Sequence, residues 1–129
     1  RRDSLSAERE KLVAELMQQI AGREDEPAGK VFKNVKLLQD VPAKQFLTIM
    51  DHDYGRGLGV NCTFCHVANQ WDSDRREEKE TARMMIAMTD TINRTQLSKL
   101  HPNRLGKTPV INCVSCHRGY NEPNLALVP

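Results

Sequence analysis

The sequence predicts an all-α fold, and three observations support this prediction. Apolar residues recur at helical spacing in three segments, each bounded by residues that begin or end helices. Polar stretches rich in glycine or proline separate these segments. A helix followed by the same short cysteine-containing motif occurs twice. The length of 129 residues is that of one domain, with at most an appended helix.

The first predicted helix runs from Ser6 to Ala21, with Ser6 as its N-cap. Its apolar residues lie on one face, which makes the helix amphipathic: Leu12, Val13, Leu16, Met17 and Ile20. A polar connection follows at residues 24–29. The sequence therefore predicts an N-terminal amphipathic helix and linker at residues 1–29, and a main domain at residues 30–129.

The second predicted helix begins at Pro42 and ends near Asp51, because proline suits the first turn of a helix. Residues 31–38 before it have a mixed pattern that fits either a short strand or an extended segment. Gly55, Gly57 and Gly59 follow and are predicted to break regular structure.

The longest predicted helix spans residues 75–99, and Asp72, Ser73 and Asp74 are its candidate N-caps. Its charged first third is predicted to be solvated. At about 100° per residue, Met85 lies at the centre of the apolar face and Met88 about 60° to one side. Met84 is about 100° away from this centre.

Composition and charge narrow the class of protein. Only 39% of residues are hydrophobic and 5% aromatic, and the mean hydropathy is −0.60. These values suggest that something other than side chains fills part of the interior. The 19 basic and 17 acidic residues give a net charge of +2, which argues against a nucleic-acid-binding protein. The chain starts without Met or an export signal, which predicts a mature or trimmed form.

Two copies of a C-x-x-C-H motif form an internal repeat of about fifty residues. This motif is the attachment signature of c-type haem, because two thiols three residues apart reach both vinyl groups and the adjacent imidazole becomes an iron ligand. The sequence therefore predicts two covalently attached haem c groups. Their attachment residues are Cys62, Cys65 and His66 in the first copy and Cys113, Cys116 and His117 in the second.

Two other uses of the cysteines compete with haem attachment. A paired C-x-x-C zinc site would use only the four thiols and would leave both histidines unexplained. Its two halves would also be separated by 47 residues, a long gap for a compact zinc site. Disulfides fit less well, because cysteines at this spacing rarely bridge each other and bridges would not explain the histidines.

The sixth iron ligand determines the chemistry of a haem, since a His/Met pair favours electron transfer and an open position favours reaction with small molecules. Met50 precedes the first motif by a helix end and a loop, and Met85 takes the equivalent place before the second. Met88 is an alternative to Met85. The remaining candidates fit other roles better, as core methionines or solvated histidines: Met17, Met84, His52 and His101.

Charged residues are unevenly distributed along the chain, although the net charge is small. Residues 91–120 contain no acidic residue and five basic ones: Arg94, Lys99, Arg104, Lys107 and Arg118. These side chains could compensate haem propionates or steer an acidic docking partner.

With the motifs placed, residues 33–119 resemble one half of the four-haem cytochrome c subunit of photosynthetic reaction centres. The matching pieces are residues 33–40, the first motif, residues 82–89 with Ile92 and Asn93, and residues 113–119. The resemblance implies repeats in which a helix supplies an axial methionine and a turn leads to the attachment motif. It implies that Met50 and His66 hold the first haem, and that Met85 and His117 hold the second.

The resulting hypothesis is a dihaem c-type cytochrome, not an enzyme, that carries single electrons outside the cytoplasm. Its expected partners are redox proteins, including a membrane-bound electron-transfer complex, and not nucleic acid. A haem enzyme with one open iron is the rival class. A third possibility is a module of a larger multihaem assembly, in which the haem units of separate chains self-associate.

Overall fold

The computed structural model describes residues 2–124 of the chain, and side chains from residue 4 onward. Within this range the regular structure is helical, and the only β-type pairings are isolated bridges between Pro27 and Pro42 and between Val67 and Gln70. The prediction of an all-α fold is therefore confirmed. Residues 125–129 of the predicted main domain lie outside the described part.

Six α-helical segments are described, and two of them belong to one longer helix. A π-helical segment, Ile49–Gly55, joins α3 to α4 without a break. Short 3₁₀ turns occur at Cys62–Phe64 and Leu97–Lys99. The α-helices are α1 (Arg2–Gln19), α2 (Ala28–Val31), α3 (Ala43–Thr48), α4 (Arg56–Leu58), α5 (Glu77–Thr95) and α6 (Cys113–His117).

The structure differs from expectation at the start of α1 and at residues 31–38. Helix α1 starts four residues earlier than predicted, so Ser6 lies inside it and donates to Glu10 Oε1 at 3.4 Å instead of capping the helix. Residues 31–38 contain no strand. This segment reverses the direction of the chain. The amides of Ala28 and Gly29 before it donate to the carbonyls of Val41 and Gln39 after it.

The prediction that glycines end the second helix is wrong for two of the three. The helix continues through Gly55 and Gly57 and ends at Gly59, which adopts a left-handed conformation with φ +65°. The first two glycines weaken a helix in isolation, but each lies against a neighbouring segment that requires close approach. Tertiary contact therefore outweighs local propensity here.

The apolar core is small and lies between α1 and α3. Ile20, Ala43 and Leu47 are buried, and the rings of Phe32 and Phe46 stack with centroids 5.5 Å apart. The predicted apolar face of α1 contributes to this core through Val13, Leu16 and Met17. Among the described residues, every buried hydrophobic side chain precedes Met50.

The connection between α1 and α3 is held by backbone and side-chain bonds. The amides of Ala43 and Lys44 donate to the carbonyls of Glu26 and Glu24 at 2.9 and 3.0 Å. Lys44 Nζ also lies 2.8 Å from Asp25 Oδ1. The N-terminal helix is thereby joined to the start of the helix that leads to the first motif.

The N-terminus of α5 corrects two expectations. The helix begins after Arg76, and neither Ser73 nor either neighbouring aspartate caps it. Lys79, expected in solvent, is buried, with 8% of its surface exposed. Its ammonium donates to the carbonyls of Trp71 and Ser73 at 3.1 and 2.8 Å, because a buried cation needs such partners.

Asp74 is the centre of an ion cluster at this end of α5. Its Oδ1 lies 3.2 Å from Lys79 Nζ and 3.1 Å from Arg83 Nη2, and it accepts a hydrogen bond from Asn34 Nδ2 at 2.8 Å. The hydrogen bond from Arg83 contributes most to lowering the pKa of Asp74 from 3.8 to about 2. The cluster ties α5 to the segment after α2.

We expect Asp74→Asn to lower the free energy of unfolding in a pH-dependent way. Because the pKa of Asp74 is lower in the folded chain, its contribution is complete above about pH 4 and is lost as the pH falls towards 2. Urea unfolding of wild type and variant between pH 2 and 6 measures this difference. Asp90→Asn, which removes an exposed pair with Arg94, is the control. An equal deficit for Asp74→Asn at both ends of the range would contradict the prediction.

Candidate haem-binding site

The first C-x-x-C-H motif forms a tight turn that gathers its three functional side chains. Asn61 Oδ1 accepts from the amide of Cys62 at 2.7 Å, and this bond starts the 3₁₀ turn Cys62–Phe64. The amides of Cys65 and His66 then donate to the carbonyl of Cys62 at 3.3 and 3.0 Å. The chain is thus wound so that both thiols and the imidazole belong to one turn.

The ring of His66 is fixed by one hydrogen bond. Its Nδ1 donates to the carbonyl of Trp71 at 2.9 Å, and Lys79 donates to the same carbonyl. Burial lowers the pKa of His66, so the imidazole is neutral at pH 7. With the proton on Nδ1, the lone pair of Nε2 is available to a metal.

The second motif reaches the same arrangement through a short α-helix. Asn112 caps α6 by accepting from the amide of Ser115 at 3.3 Å, and Ser115 Oγ accepts from the amide of Asn112 at 3.1 Å. The Nδ1 of His117 donates to the carbonyl of Tyr120 at 2.9 Å. In both motifs, therefore, a preceding asparagine caps the turn and a carbonyl holds Nδ1.

The two motifs are close neighbours, because the end of the helix before the first packs against α6. The amide of Gly119 donates to the carbonyl of Gly57 at 2.8 Å. A Cβ atom on Gly57 would lie 3.1 Å from Cys113 Cβ, and one on Gly59 would overlap the Gly119 carbonyl oxygen. Glycine at these positions allows α4 and the residue that ends it to touch the second motif and Gly119.

All eight predicted site residues line one cavity of about 910 Å³. Met88 also lines the cavity, so this criterion does not distinguish Met88 from Met85. Met84 does not line it and is 67% exposed, so its expected role as a core methionine is wrong. Met17, His52 and His101 are likewise absent from its wall. The eight residues are Met50, Cys62, Cys65, His66, Met85, Cys113, Cys116 and His117.

The chemistry of the donor set fits covalently attached haem. All four cysteines are free thiols. Burial raises the pKa of Cys62 and Cys113, and that of Cys65 to about 11, so these three are neutral thiols at pH 7. Among the side chains of residues 4–124, no group of three or more His, Cys, Asp or Glu is placed to hold a metal ion. The four thiols are therefore not gathered into a zinc site.

Several residues that hold the site were not found from the sequence. Lys79 supports the carbonyl that orients His66, and Arg9 on α1 forms a buried ion pair with Asp51. Asn93 holds Ile111, two residues before Cys113, by hydrogen bonds to both its amide and its carbonyl. The asparagine before each motif was a visible signal of the caps, whereas nothing in the sequence pairs Arg9 with a residue 42 positions away.

No helix among the described residues is long and apolar enough to cross a membrane.

Comparison with known proteins identifies a matching family and several relatives. The family model described as "Photosynthetic reaction centre cytochrome C subunit" matches residues 2–128. Cytochrome c-554 of Chloroflexus aurantiacus is 33% identical over 91 residues, which cover 70% of this chain and 21% of that protein.

Two relatives carry the name photosynthetic reaction center cytochrome c subunit. The one from Thermochromatium tepidum is 30% identical over 102 residues, covering 78% of this chain and 24% of the relative. The one from Rubrivivax gelatinosus is 37% identical over 91 residues, covering 63% of this chain and 24% of the relative. The chain thus spans about a quarter of the length of the curated relatives it matches.

Proposed function

Because the chain belongs to the photosynthetic reaction centre cytochrome c subunit family, we propose that it is a dihaem c-type cytochrome that carries single electrons between redox partners. The observation that carries this proposal is the shared cavity, which both C-x-x-C-H motifs and two methionine-bearing helices line. Each motif and its helix form one haem-binding repeat. When bound, a haem supplies an iron that gains and loses one electron.

The first site consists of Met50, Cys62, Cys65 and His66. Cys62 and Cys65, which are neutral thiols at pH 7, would form the thioethers, and His66 Nε2 would ligate iron because Nδ1 is occupied. Met50 belongs to a π-helical segment, a distortion that is frequent at functional sites. Its thioether is the proposed sixth ligand.

The second site consists of Met85, Cys113, Cys116 and His117. His117 is held by Tyr120 as His66 is held by Trp71, so its Nε2 is equally available. Met85 is preferred over Met88 as the sixth ligand because it lies at the centre of the apolar face of α5. The contact between α4 and α6 keeps the two sites adjacent, which electron transfer between them requires.

Two porphyrins would also supply the apolar bulk that the second half of the chain lacks. No hydrophobic side chain after Met50 is buried among the described residues, and Met85 and Met88 are 44% and 49% exposed. Both line the cavity, so a group bound there would cover them. This chain should therefore fold poorly without haem.

The loop between α5 and α6 is the proposed contact surface for an acidic redox partner outside the cytoplasm. Asn103 Oδ1 accepts from the amides of Leu105 and Lys107 at 2.9 and 3.1 Å and so orders the loop tip. Leu105 is 80% exposed and does not line the haem cavity. Arg104 and Lys107 beside it form no ion pair with any side chain from residue 4 to residue 124.

We expect Arg104→Glu with Lys107→Glu to slow electron uptake from an acidic donor roughly tenfold at low salt, because opposite charges steer association. Stopped-flow reduction by a reduced flavodoxin measures the second-order rate constant at increasing ionic strength. Lys11→Glu with Lys30→Glu makes the same change in net charge on exposed residues of α1 and α2. Equal slowing by this control would show that net charge, and not the loop, governs the rate.

Intact-protein mass spectrometry and absorption spectroscopy test the proposed function. Two haems add about 1.2 kDa to the polypeptide. We expect both to be low-spin, with methionine-to-iron absorption that cyanide and carbon monoxide leave unchanged. A haem that binds either molecule would instead indicate an enzyme with an open iron, and an unchanged polypeptide mass would contradict the proposal.

A further inference from the structure

We infer that Arg9 is a positioning residue for the first haem site: from α1 it ties the segment that carries Met50 to the loop that enters the first C-x-x-C-H motif. This inference rests on the proposed function, because it gives Arg9 a role through the residues of that site. None of the eight predicted site residues lies on α1. Arg9 is thus contributed by an element outside both haem-binding repeats.

The guanidinium of Arg9 holds two chain segments at once. Its Nε donates to Asp51 Oδ1 at 2.8 Å, and its Nη1 donates to the carbonyl of Val60 at 3.0 Å. Asp51 is the residue after Met50, and Val60 lies two residues before Cys62. Because the guanidinium is planar and rigid, these two bonds fix the distance between both segments.

The ion pair is well shielded from water, with Arg9 5% and Asp51 9% exposed. Removing two charges from water is costly, so a buried pair is a poor way to gain stability alone. The pair does, however, restrict the geometry, because separating the two side chains would leave each buried charge without a partner. Apolar side chains could fill the same volume, but they could not hold the Val60 carbonyl.

Gly55 makes room for this arrangement. A Cβ atom at Gly55 would overlap Arg9 Cδ and lie 2.7 Å from Arg9 Nε. The arginine side chain therefore crosses the π-helical segment at Gly55, where no side chain blocks it. This space lets the guanidinium bond to the Val60 carbonyl.

The second site contains an equivalent connection made within its own repeat. Asn93 lies on α5, the helix that carries Met85, and binds the amide and carbonyl of Ile111 at 2.8 and 2.9 Å. Ile111 precedes Cys113 by two residues, as Val60 precedes Cys62. Both methionine-bearing helices are thus bonded to the same position before their motif, by Asn93 in one site and through Arg9 and Asp51 in the other.

Reciprocal variants of the two-haem protein test this inference. We expect Arg9→Met to remove up to half of the methionine-to-iron absorption and to shift one of the two midpoint potentials. Asn93→Leu should affect the other haem. In a Met50→Leu background, where only the second haem retains its methionine, Arg9→Met should change nothing further and Asn93→Leu should remove the remaining absorption. Asp90→Asn, which removes an exposed ion pair, should leave both haems unchanged.

A solely structural role for Arg9 would give a different result. The inference is overturned if folded Arg9→Met protein keeps both potentials and its full absorption, or if both haems change equally. If Arg9→Met fails to fold, Arg9→Met with Asp51→Leu removes both charges, and wild-type spectra in that protein would equally overturn it. Arg9→Lys should restore part of the absorption, since lysine can pair with Asp51 but lacks the fork.

Hydrogen exchange separates failure of this inference from failure of the proposed function. In Arg9→Met, backbone amides at residues 60–66 should exchange faster than in wild type, and those at residues 111–117 should not. Unchanged exchange at residues 60–66 counts against the positioning role whatever ligates the iron. Absence of methionine-to-iron absorption in the wild-type protein would instead refute the ligation in the proposed function, without any variant.

Discussion

Gly59→Ala should destabilise the protein by roughly 2–5 kcal/mol, a large fraction of the stability of a domain. About 1–2 kcal/mol arises because Gly59 has φ +65°, a conformation that residues with a Cβ adopt at a cost. A further ~1–3 kcal/mol arises because the new Cβ would overlap the carbonyl oxygen of Gly119, so that α4 and α6 must separate. Urea unfolding of the haem-loaded protein measures the loss.

Gly106→Ala is a matched control for the conformational part of this effect. Gly106 also has positive φ, +74°, but no atom lies within 4 Å of where its Cβ would be. We therefore expect it to cost only about 1–2 kcal/mol. If Gly59→Ala and Gly106→Ala destabilise the protein equally, the close contact between Gly59 and Gly119 is not a feature of the molecule. Gly59→Ala should also raise the fraction of chains that carry a single haem, because the second motif loses its support.

Met85→Leu is expected to make one haem high-spin and to remove about half of the methionine-to-iron absorption, because it deletes one of two proposed sulfur ligands. The reduction potential of that haem should fall, since methionine ligation raises it. The swap preserves volume and costs less than ~1.5 kcal/mol of stability, so the haem change is not a consequence of unfolding. Absorption spectra and a redox titration provide both readouts.

Two neighbouring methionines on α5 make this experiment decisive. Met84→Leu changes a side chain that is 67% exposed and outside the cavity, so both haems should keep their spectra. Met88→Leu changes a second cavity-lining methionine. If Met88→Leu alone removes the absorption, Met88 is the sixth ligand and the assignment of Met85 is wrong.

The local part of the site could be predicted from the sequence. Cys62, Cys65 and His66 are adjacent in the chain, and so are their counterparts in the second motif, so spacing alone predicts their chemistry. Met85 lines the cavity and Met84, about 100° away around the helix, does not. The helical class follows from the same periodicity.

The ends of the helices were harder to predict from the sequence, because they depend on contacts with distant segments of the chain. Gly57 was expected to end a helix, but its lack of a side chain serves the contact with Cys113. Lys79 was expected in solvent, but it is buried where two carbonyls and Asp74 satisfy it. The pattern of charge and hydropathy along the chain predicts neither of these contacts.

The candidate residues for haem attachment and ligation could be identified without a structure, because that chemistry is encoded over a few neighbouring positions that occur twice. The fold was needed to show that both motifs line one cavity, that Gly59 meets Gly119, and that Arg9 reaches Asp51 across 42 residues. These contacts join distant segments, and their geometry arises from packing, which no local spacing records.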